Sequence, residues 1–318
     1  MRVLVFGAGA LGCVVGGFLK KYGVEVALVG REEVVSAINR EGLFISGIWG
    51  NHHVKGFEIA TYPLEEWKGK FDLVVISVKS YDTEVAVKSI LPILREDTFV
   101  CSYQNGLGNV EKIAEYVGME RTVPARVIFG SKVIKPGFVQ VTVIAEPTAL
   151  GRFDGGPKEE VVKSIVRLMD GAGIPTFYHE NIMGLIWAKV AYNSALNPLS
   201  AILDVPYGRL LETEETVQIM EEVICELYAV AKCKNVPMII PTPEGYIKHL
   251  FNELIPPTAQ HYASMREDLK LGRRTEIDAL NGAIWRLGEE LGVRCPVNRY
   301  LTAIVKGKEK LSICNGSY

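Results

Sequence analysis

Lys189, Asn193 and Asn197 stand at steps of four in the run WAKVAYNSALNP that begins at Trp187. On an α-helix that spacing stacks one ammonium and two amides on a single face, each step rising about 6 Å. The intervening positions are mostly apolar, so the polar stripe lies on a helix that otherwise reads as buried, and buried polar groups need partners. A substrate could be that partner, the ammonium being able to stabilise developing oxyanion charge and to donate a proton. The alternative has the asparagines bridging neighbouring backbone while Lys189 reaches out to water. Pro198 is expected to bend or end this helix just after Asn197.

A second constellation opens the chain. Gly7-Ala8-Gly9-Ala10-Leu11-Gly12 matches G-x-G-x-x-G, a pattern too common to decide anything alone. Its context decides: it follows the apolar strand Val3 to Phe6, opens an apolar helical stretch ending at Lys21 and precedes a second strand, Val24 to Val29. Gly7 permits the tight turn, Gly9 lets backbone amides approach a pyrophosphate, Gly12 lets helix and sheet pack closely, and the helix N-terminus adds partial positive charge. The second strand ends Leu28-Val29-Gly30-Arg31, without the acid that accepts from a ribose 2′-hydroxyl. A guanidinium there can grip a 2′-phosphate bidentately, which points to NADP(H); on the blander view Arg31 is a solvated charge and Glu32 or Glu33 does the acidic job. Lys79, closing FDLVVISVK, and Asn105-Gly106, following TFVCSYQ, belong to the same carboxyl edge of the sheet, where ligands of open α/β folds bind.

These residues need a scaffold. The 318 residues suggest about two domains. To about Tyr178 short β-branched runs alternate with helical stretches, the pattern of parallel strands joined by helical crossovers. Arg2 to Phe6, Val24 to Val29, Phe71 to Val78 and Thr98 to Tyr103 read as strands, the third apolar throughout and so central. Runs around Ala125 to Val133, Phe138 to Ile144 and Thr148 to Leu150 read as antiparallel additions. After His179 helical periodicity takes over, with helices expected at Asn181 to Asn197, Glu214 to Lys234, Pro243 to Leu254, Arg273 to Leu291 and Asn298 to Lys308. The expectation is an α/β fold: a Rossmann-type doubly wound sheet binding NADP in residues 1–179, then an all-helical substrate and catalytic domain in 180–318.

With 35 Lys plus Arg against 37 Asp plus Glu, the net charge of −2 offers no global positive field for nucleic acid or anionic membrane. Cys13, Cys101, Cys225, Cys233, Cys295 and Cys314 show no metal or redox spacing and read as reduced, mostly buried thiols of a cytoplasmic protein. The nearly uncharged run Val3 to Leu19 resembles a signal-peptide core, but its five glycines and the closing Lys20 and Lys21 argue against that. Exposed apolar helical surface could support a homodimer.

A last polar patch comprises Ser264-Met-Arg-Glu-Asp268 and Gly272-Arg-Arg-Thr-Glu-Ile-Asp278, by itself a capped, solvated helix start with Thr275 near the cap. With GAGALG, Asn105-Gly106 and the KxxxNxxxNPLSA run, the stretch SMREDLKLGRRTEIDALNG makes the whole chain resemble the ketopantoate reductase (2-dehydropantoate 2-reductase) family. That resemblance implies NADPH and a 2-oxo acid meeting in a cleft between a Rossmann domain and a helical one. It implies Lys189 as the catalytic lysine, Asn193 and Asn197 as substrate-positioning amides, and Ser264 as receiver of the substrate carboxylate. Glu276 is similar to the motif acid beside cofactor and substrate, Asn105 to the asparagine near the nicotinamide, and Arg31 and Lys79 to the basic contacts of the 2′-phosphate. One departure is Tyr207, within Val205-Pro-Tyr-Gly208, where the family pattern has a substrate-touching asparagine. The expected reaction is NADPH-dependent reduction of 2-dehydropantoate to (R)-pantoate, on the route to pantothenate and coenzyme A, Lys189 serving as general acid with its pKa lowered by burial and raised by Glu276. Tyr207 leaves open a different 2-oxo acid, and a non-enzymatic NADP-binding sensor is the rival from another class. His52, His53, His179, His249 and His261 form no comparable constellation and read as structural or solvated.

Overall fold

The computed structural model describes residues 1–314. The chain divides into two compact units, one of Met1–Asn105 with Asn109–Ile182, the other of Gly106–Gly108 with everything from Met183.

The first unit holds β1 (Arg2–Phe6), α1 (Ala10–Lys21), β2 (Glu25–Val29), α2 (Glu32–Glu41), β3 (Leu43–Gly47), β4 (His52–Val54), β5 (Glu58–Ala60), β6 (Leu73–Ile76), α3 (Thr83–Ile90), β7 (Phe99–Ser102), α4 (Asn109–Val117), β8 (Thr122–Arg126), β9 (Phe129–Lys135), β10 (Phe138–Ile144), β11 (Thr148–Leu150), α5 (Glu159–Gly171) and β12 (Thr176–Tyr178). Its main sheet has eight strands in the order β12-β11-β8-β7-β6-β1-β2-β5. From β8 to β5 all pairs are parallel; β11 meets β8 antiparallel and carries β12 beside it. The sheet is therefore mixed at one end, as expected, but β8 is not one of the antiparallel additions. α4 connects β7 to β8 as a helical crossover, which returns the chain in the same direction.

Alternation along the central strands explains their continuous apolarity. Val3, Val5, Leu73 and Val75 face one buried cluster, whereas Leu4, Val74 and Ile76 face another. The runs expected as antiparallel additions at Phe138 to Ile144 and into β9 do not join the main sheet but form a second one with β3 and β4, ordered β4-β3-β10-β9. α1 packs between the two: a Cβ on Gly16 would come within 2.6 Å of Leu28 in the main sheet, and one on Gly17 within 2.4 Å of Ile45 in the other. Gly16 and Gly17 of the Val3 to Leu19 run thus serve close packing of a helix buried on both sides, and among the described residues no helix is long and apolar enough to cross a membrane.

The second unit is helical throughout its described residues: α6 (Ile182–Leu203), α7 (Glu214–Cys233), α8 (Pro243–His249), α9 (Ser264–Lys270), α10 (Asn281–Leu291) and α11 (Pro296–Cys314), with shorter turns between. Pro198 does not end α6, which runs five residues beyond it to Leu203. A proline deprives the carbonyl four residues earlier of its helical donor, at a cost of about 3 kcal/mol in a free helix. Here that carbonyl, of Ser194, accepts instead from Asn281 Nδ2 at 3.0 Å, and the far end of α6 is closed by Lys308 Nζ on the carbonyls of Ala201 and Ile202. The helix expected from Arg273 likewise begins only at Asn281. Thr275 diverts the backbone: its amide and hydroxyl both donate to Glu309, and its hydroxyl accepts from Ile277 N. Of the cysteines, Cys13, Cys101 and Cys295 are buried free thiols, Cys225 and Cys233 lie exposed on α7, and the Cys314 side chain is outside the described residues.

Candidate active site

In the first unit the turns after β1, β2, β6 and β7 all leave the same edge of the sheet, because these strands are parallel and in register, Phe6 level with Val29 and Ile76, and Ile76 with Ser102. β1 lies between β2 and β6, so the chain reverses its direction of growth at the glycine turn, the position at which such sheets leave a ligand crevice. The turn itself consumes three amides: Gly7 and Ala8 donate to Val29 O, and Gly9 to Gly7 O. The amides of Ala10, Leu11 and Gly12, at the start of α1, donate to no described residue and are the ones left for an anion.

The three glycines differ in what holds them. Gly7 has φ +115° and its Cβ would lie 2.8 Å from Val78 N; a Cβ on Gly12 would lie 2.0 Å from Gly7 O. A Cβ on Gly9 would meet nothing within 4 Å. No contact inside the protein demands a glycine there, whereas a diphosphate lying on the turn would, so the residues present fit a dinucleotide. Arg31, at the N-terminus of α2, is exposed, and no described side chain engages its guanidinium. Of the neighbouring acids, Glu32 accepts from Ser36.

Lys79 and Asn105 are half-buried at the ends of the β6 and β7 segments. A chain of bonds that sequence reasoning missed ties their loops together. Gln104 Nε2 donates to Val78 O (3.0 Å) and Thr83 Oγ1 (2.7 Å), Thr83 Oγ1 is 2.8 Å from Asn109 Oδ1, and Asn109 Nδ2 donates to Asn105 O at 2.8 Å. Gln104, Thr83 and Asn109 are buried, so this network fixes the loops that carry the two residues. Nothing in their spacing announces it.

In the second unit α6 carries Lys189, Asn193 and Asn197 on one face, as their spacing predicts. Lys189 and Asn193 are half-buried and Asn197 is 6% exposed. The helix is held at both ends of this stripe by tyrosines: Tyr246 donates to Ala188 O at 2.5 Å, and Tyr207 to Asn197 Oδ1 at 2.7 Å. Tyr192, on the same helix, is 2.9 Å from Thr258 Oγ1. The alternative in which both asparagines bridge neighbouring backbone is not what forms.

Ser264 begins α9 and is exposed; Glu276 is half-buried at the head of the turn Ile277–Ala279. That turn is anchored by Asp278, which accepts from Lys306 (2.9 Å), Arg274 (3.2 Å) and Arg286 (3.4 Å). Burial works against the Asp278 charge, yet the Lys306 and Arg274 bonds outweigh it and hold the carboxyl below the usual range. A carboxyl lowered in the folded state stabilises the fold above its unfolded value of about 4 and loses that contribution as pH falls through the lowered value. Asp278→Asn is expected to lower the thermal midpoint at pH 7 by roughly 2–4 °C and to flatten its fall below pH ~4; melts from pH 3 to pH 7 would show it, and a midpoint unchanged at pH 7 would contradict the anchoring role.

Among the described residues no group of three or more His, Cys, Asp or Glu could hold a metal ion.

Residues 3–155 match the family model described as ketopantoate reductase PanE/ApbA, and residues 181–309 that of its C-terminal part. The chain is 42% identical over 314 residues to a 2-dehydropantoate 2-reductase of Aquifex aeolicus, covering 98% of each chain, and 36% identical over 312 residues to one of Pyrococcus horikoshii, again covering 98% of each. Among solved structures it resembles a PanE/ApbA family ketopantoate reductase of Ralstonia eutropha, with TM-score 0.86, 32% identity and coverage of 98% and 99%. A ternary structure of D-mandelate dehydrogenase with NADH and anilino(oxo)acetate aligns with TM-score 0.88 at 28% identity, covering 98% of this chain and 99% of that one.

Proposed function

The chain belongs to the ketopantoate reductase family of oxidoreductases, and from that premise we propose that it reduces 2-dehydropantoate to (R)-pantoate with NADPH, in the biosynthesis of pantothenate and coenzyme A. In this reading residues 1–179 bind the cofactor and residues 180–318 bind the substrate and supply the general acid. The observation that carries it is the stripe of Lys189, Asn193 and Asn197 on α6, held between two tyrosine hydroxyls.

The chemistry contributed by bound NADPH is a hydride for the 2-oxo carbon. Lys189 stabilises the negative charge that grows on the carbonyl oxygen and gives it the proton that completes the hydroxyl. Asn193 and Asn197 orient the substrate without altering the charge balance, Ser264 receives its carboxylate, and Glu276 stands beside substrate and cofactor. The amides of Ala10, Leu11 and Gly12 take the diphosphate, Arg31 and Lys79 the 2′-phosphate, and Asn105 the nicotinamide end.

A spectrophotometric assay of NADPH and NADH oxidation with 2-dehydropantoate tests substrate and cofactor together; no oxidation of either would overturn the reading. Arg31→Ala is expected to raise the KM for NADPH by about tenfold or more while leaving that for NADH within about twofold, since a charge-assisted bond contributes roughly 1.5–3 kcal/mol. Equal losses with both cofactors would remove Arg31 from the 2′-phosphate. A second reading, the same reaction on another 2-oxo acid, is favoured by Tyr207. Comparing kcat/KM across branched, unbranched and aromatic 2-oxo acids separates the two.

A further inference from the structure

Tyr207 is 3% exposed, and its position is fixed independently of its hydroxyl. Its amide donates to His261 O at 3.0 Å, that of Gly208 to Ala259 O at 2.9 Å, and its ring meets the Tyr192 ring edge-on with centroids 5.9 Å apart. The hydroxyl reaches Asn197 Oδ1 at 2.7 Å, an interaction enclosed by protein. Burial pushes the phenol well above its ordinary range, so it remains protonated and able to donate at any working pH.

An asparagine amide is ambivalent, with an acceptor on one side and two donors on the other, and rotation by half a turn exchanges them. Committing Oδ1 to a fixed donor removes that freedom. Asn197 Nδ2 has no partner among the described residues. What remains presented is N–H alone, suited to an oxygen acceptor.

We propose that Tyr207 is a positioning residue that locks the Asn197 amide with its N–H groups toward the substrate, making this subsite specific for a substrate oxygen acceptor such as the carboxylate or oxo group of a 2-oxo acid. The inference rests on the reduction proposed above. It assigns Tyr207 a role through Asn197, so that one tyrosine hydroxyl sets the hydrogen-bonding polarity of a neighbouring amide.

The test is a double-mutant cycle on the full chain, with NADPH oxidation measured on 2-dehydropantoate and a panel of other 2-oxo acids. Tyr207→Phe keeps the ring and removes only the hydroxyl. It is expected to raise the KM of the best substrate by about tenfold, corresponding to loss of one oriented hydrogen bond, with kcat changed by less than about threefold, on the understanding that the locked amide acts mainly in binding. In an Asn197→Ala background the same substitution is expected to change KM by less than about twofold, because its target is gone. A merely structural tyrosine would cause the same loss in both backgrounds, and that result, or an unchanged KM in the single variant, would overturn the proposal. Asn197→Asp supplies a second check: it keeps an acceptor for Tyr207 but offers an oxygen where N–H is required, and KM should rise more steeply than for Asn197→Ala. Wild type that oxidises NADPH with no member of the panel would overturn the reductase reading and this inference with it, an outcome distinct from active wild type with equal losses in both backgrounds.

Discussion

Lys189→Ala is expected to lower kcat by about a hundred- to ten-thousand-fold, the range that a positioned general acid contributes, while the affinity for NADPH stays within about twofold. The loss should be catalytic and not structural. Lys189 sits on a helix whose backbone is held at the preceding residue by Tyr246 and downstream by Asn281 and Lys308, none of which uses the lysine side chain. Alanine also propagates a helix slightly better than lysine, so the thermal midpoint should move by less than about 2 °C. Lys189→Arg is the sharper control. It restores a positive charge, but a guanidinium gives up no proton in ordinary water and its planar fork does not overlay a compact ammonium. If proton donation matters beyond charge, arginine rescues little of the rate. Near-normal turnover in Lys189→Ala with intact NADPH binding would remove the lysine from the mechanism.

The glycine turn gives the second large effect, through a contrast between two substitutions of equal size. Gly12→Ala drives a Cβ to 2.0 Å from the Gly7 carbonyl and 2.5 Å from Ser77 Oγ, and neither the turn backbone nor α1, packed between two sheets, has room to yield. Loss of the folded first unit, or a midpoint lowered by roughly 10 °C or more, is the expected result, since several kcal/mol of overlap is at stake. Gly9→Ala adds the same methyl to empty space. Its midpoint should change by less than about 2 °C, yet NADPH binding should weaken about tenfold or more where the methyl meets the diphosphate. Calorimetry for stability and titration for affinity separate them. Matching losses of affinity and stability in both variants would mean that Gly9, too, is structural.

How far the sequence carries depends on whether a feature is periodic. β1, β6 and β7, buried on both faces, show as apolar runs, and the Lys189, Asn193 and Asn197 ladder shows because an uninterrupted helix converts spacing directly into a face. In the second sheet β10 and part of β9 show as runs, but β3 and β4 do not, since they span only five and three residues, too short for alternation to register, and β3 pairs with β10 across almost a hundred residues of chain. Pro198 does not stop its helix, because the cost of a helical proline depends on what else can reach the vacated carbonyl, and Asn281 lies 87 positions away. The Gln104, Thr83 and Asn109 network is invisible for the same reason: its members are ordinary polar residues until folding places them within bonding distance. Tyr207 is visible only as a departure from the family pattern, and its bond to Asn197 is not visible at all.

The wedging of α1 between two sheets has an evolutionary corollary. With Gly16 pressed on one sheet and Gly17 on the other, α1 cannot be remodelled piecemeal, because any larger residue must push a whole layer aside. At exposed Arg31, by contrast, one exchange alters charge without disturbing a single layer.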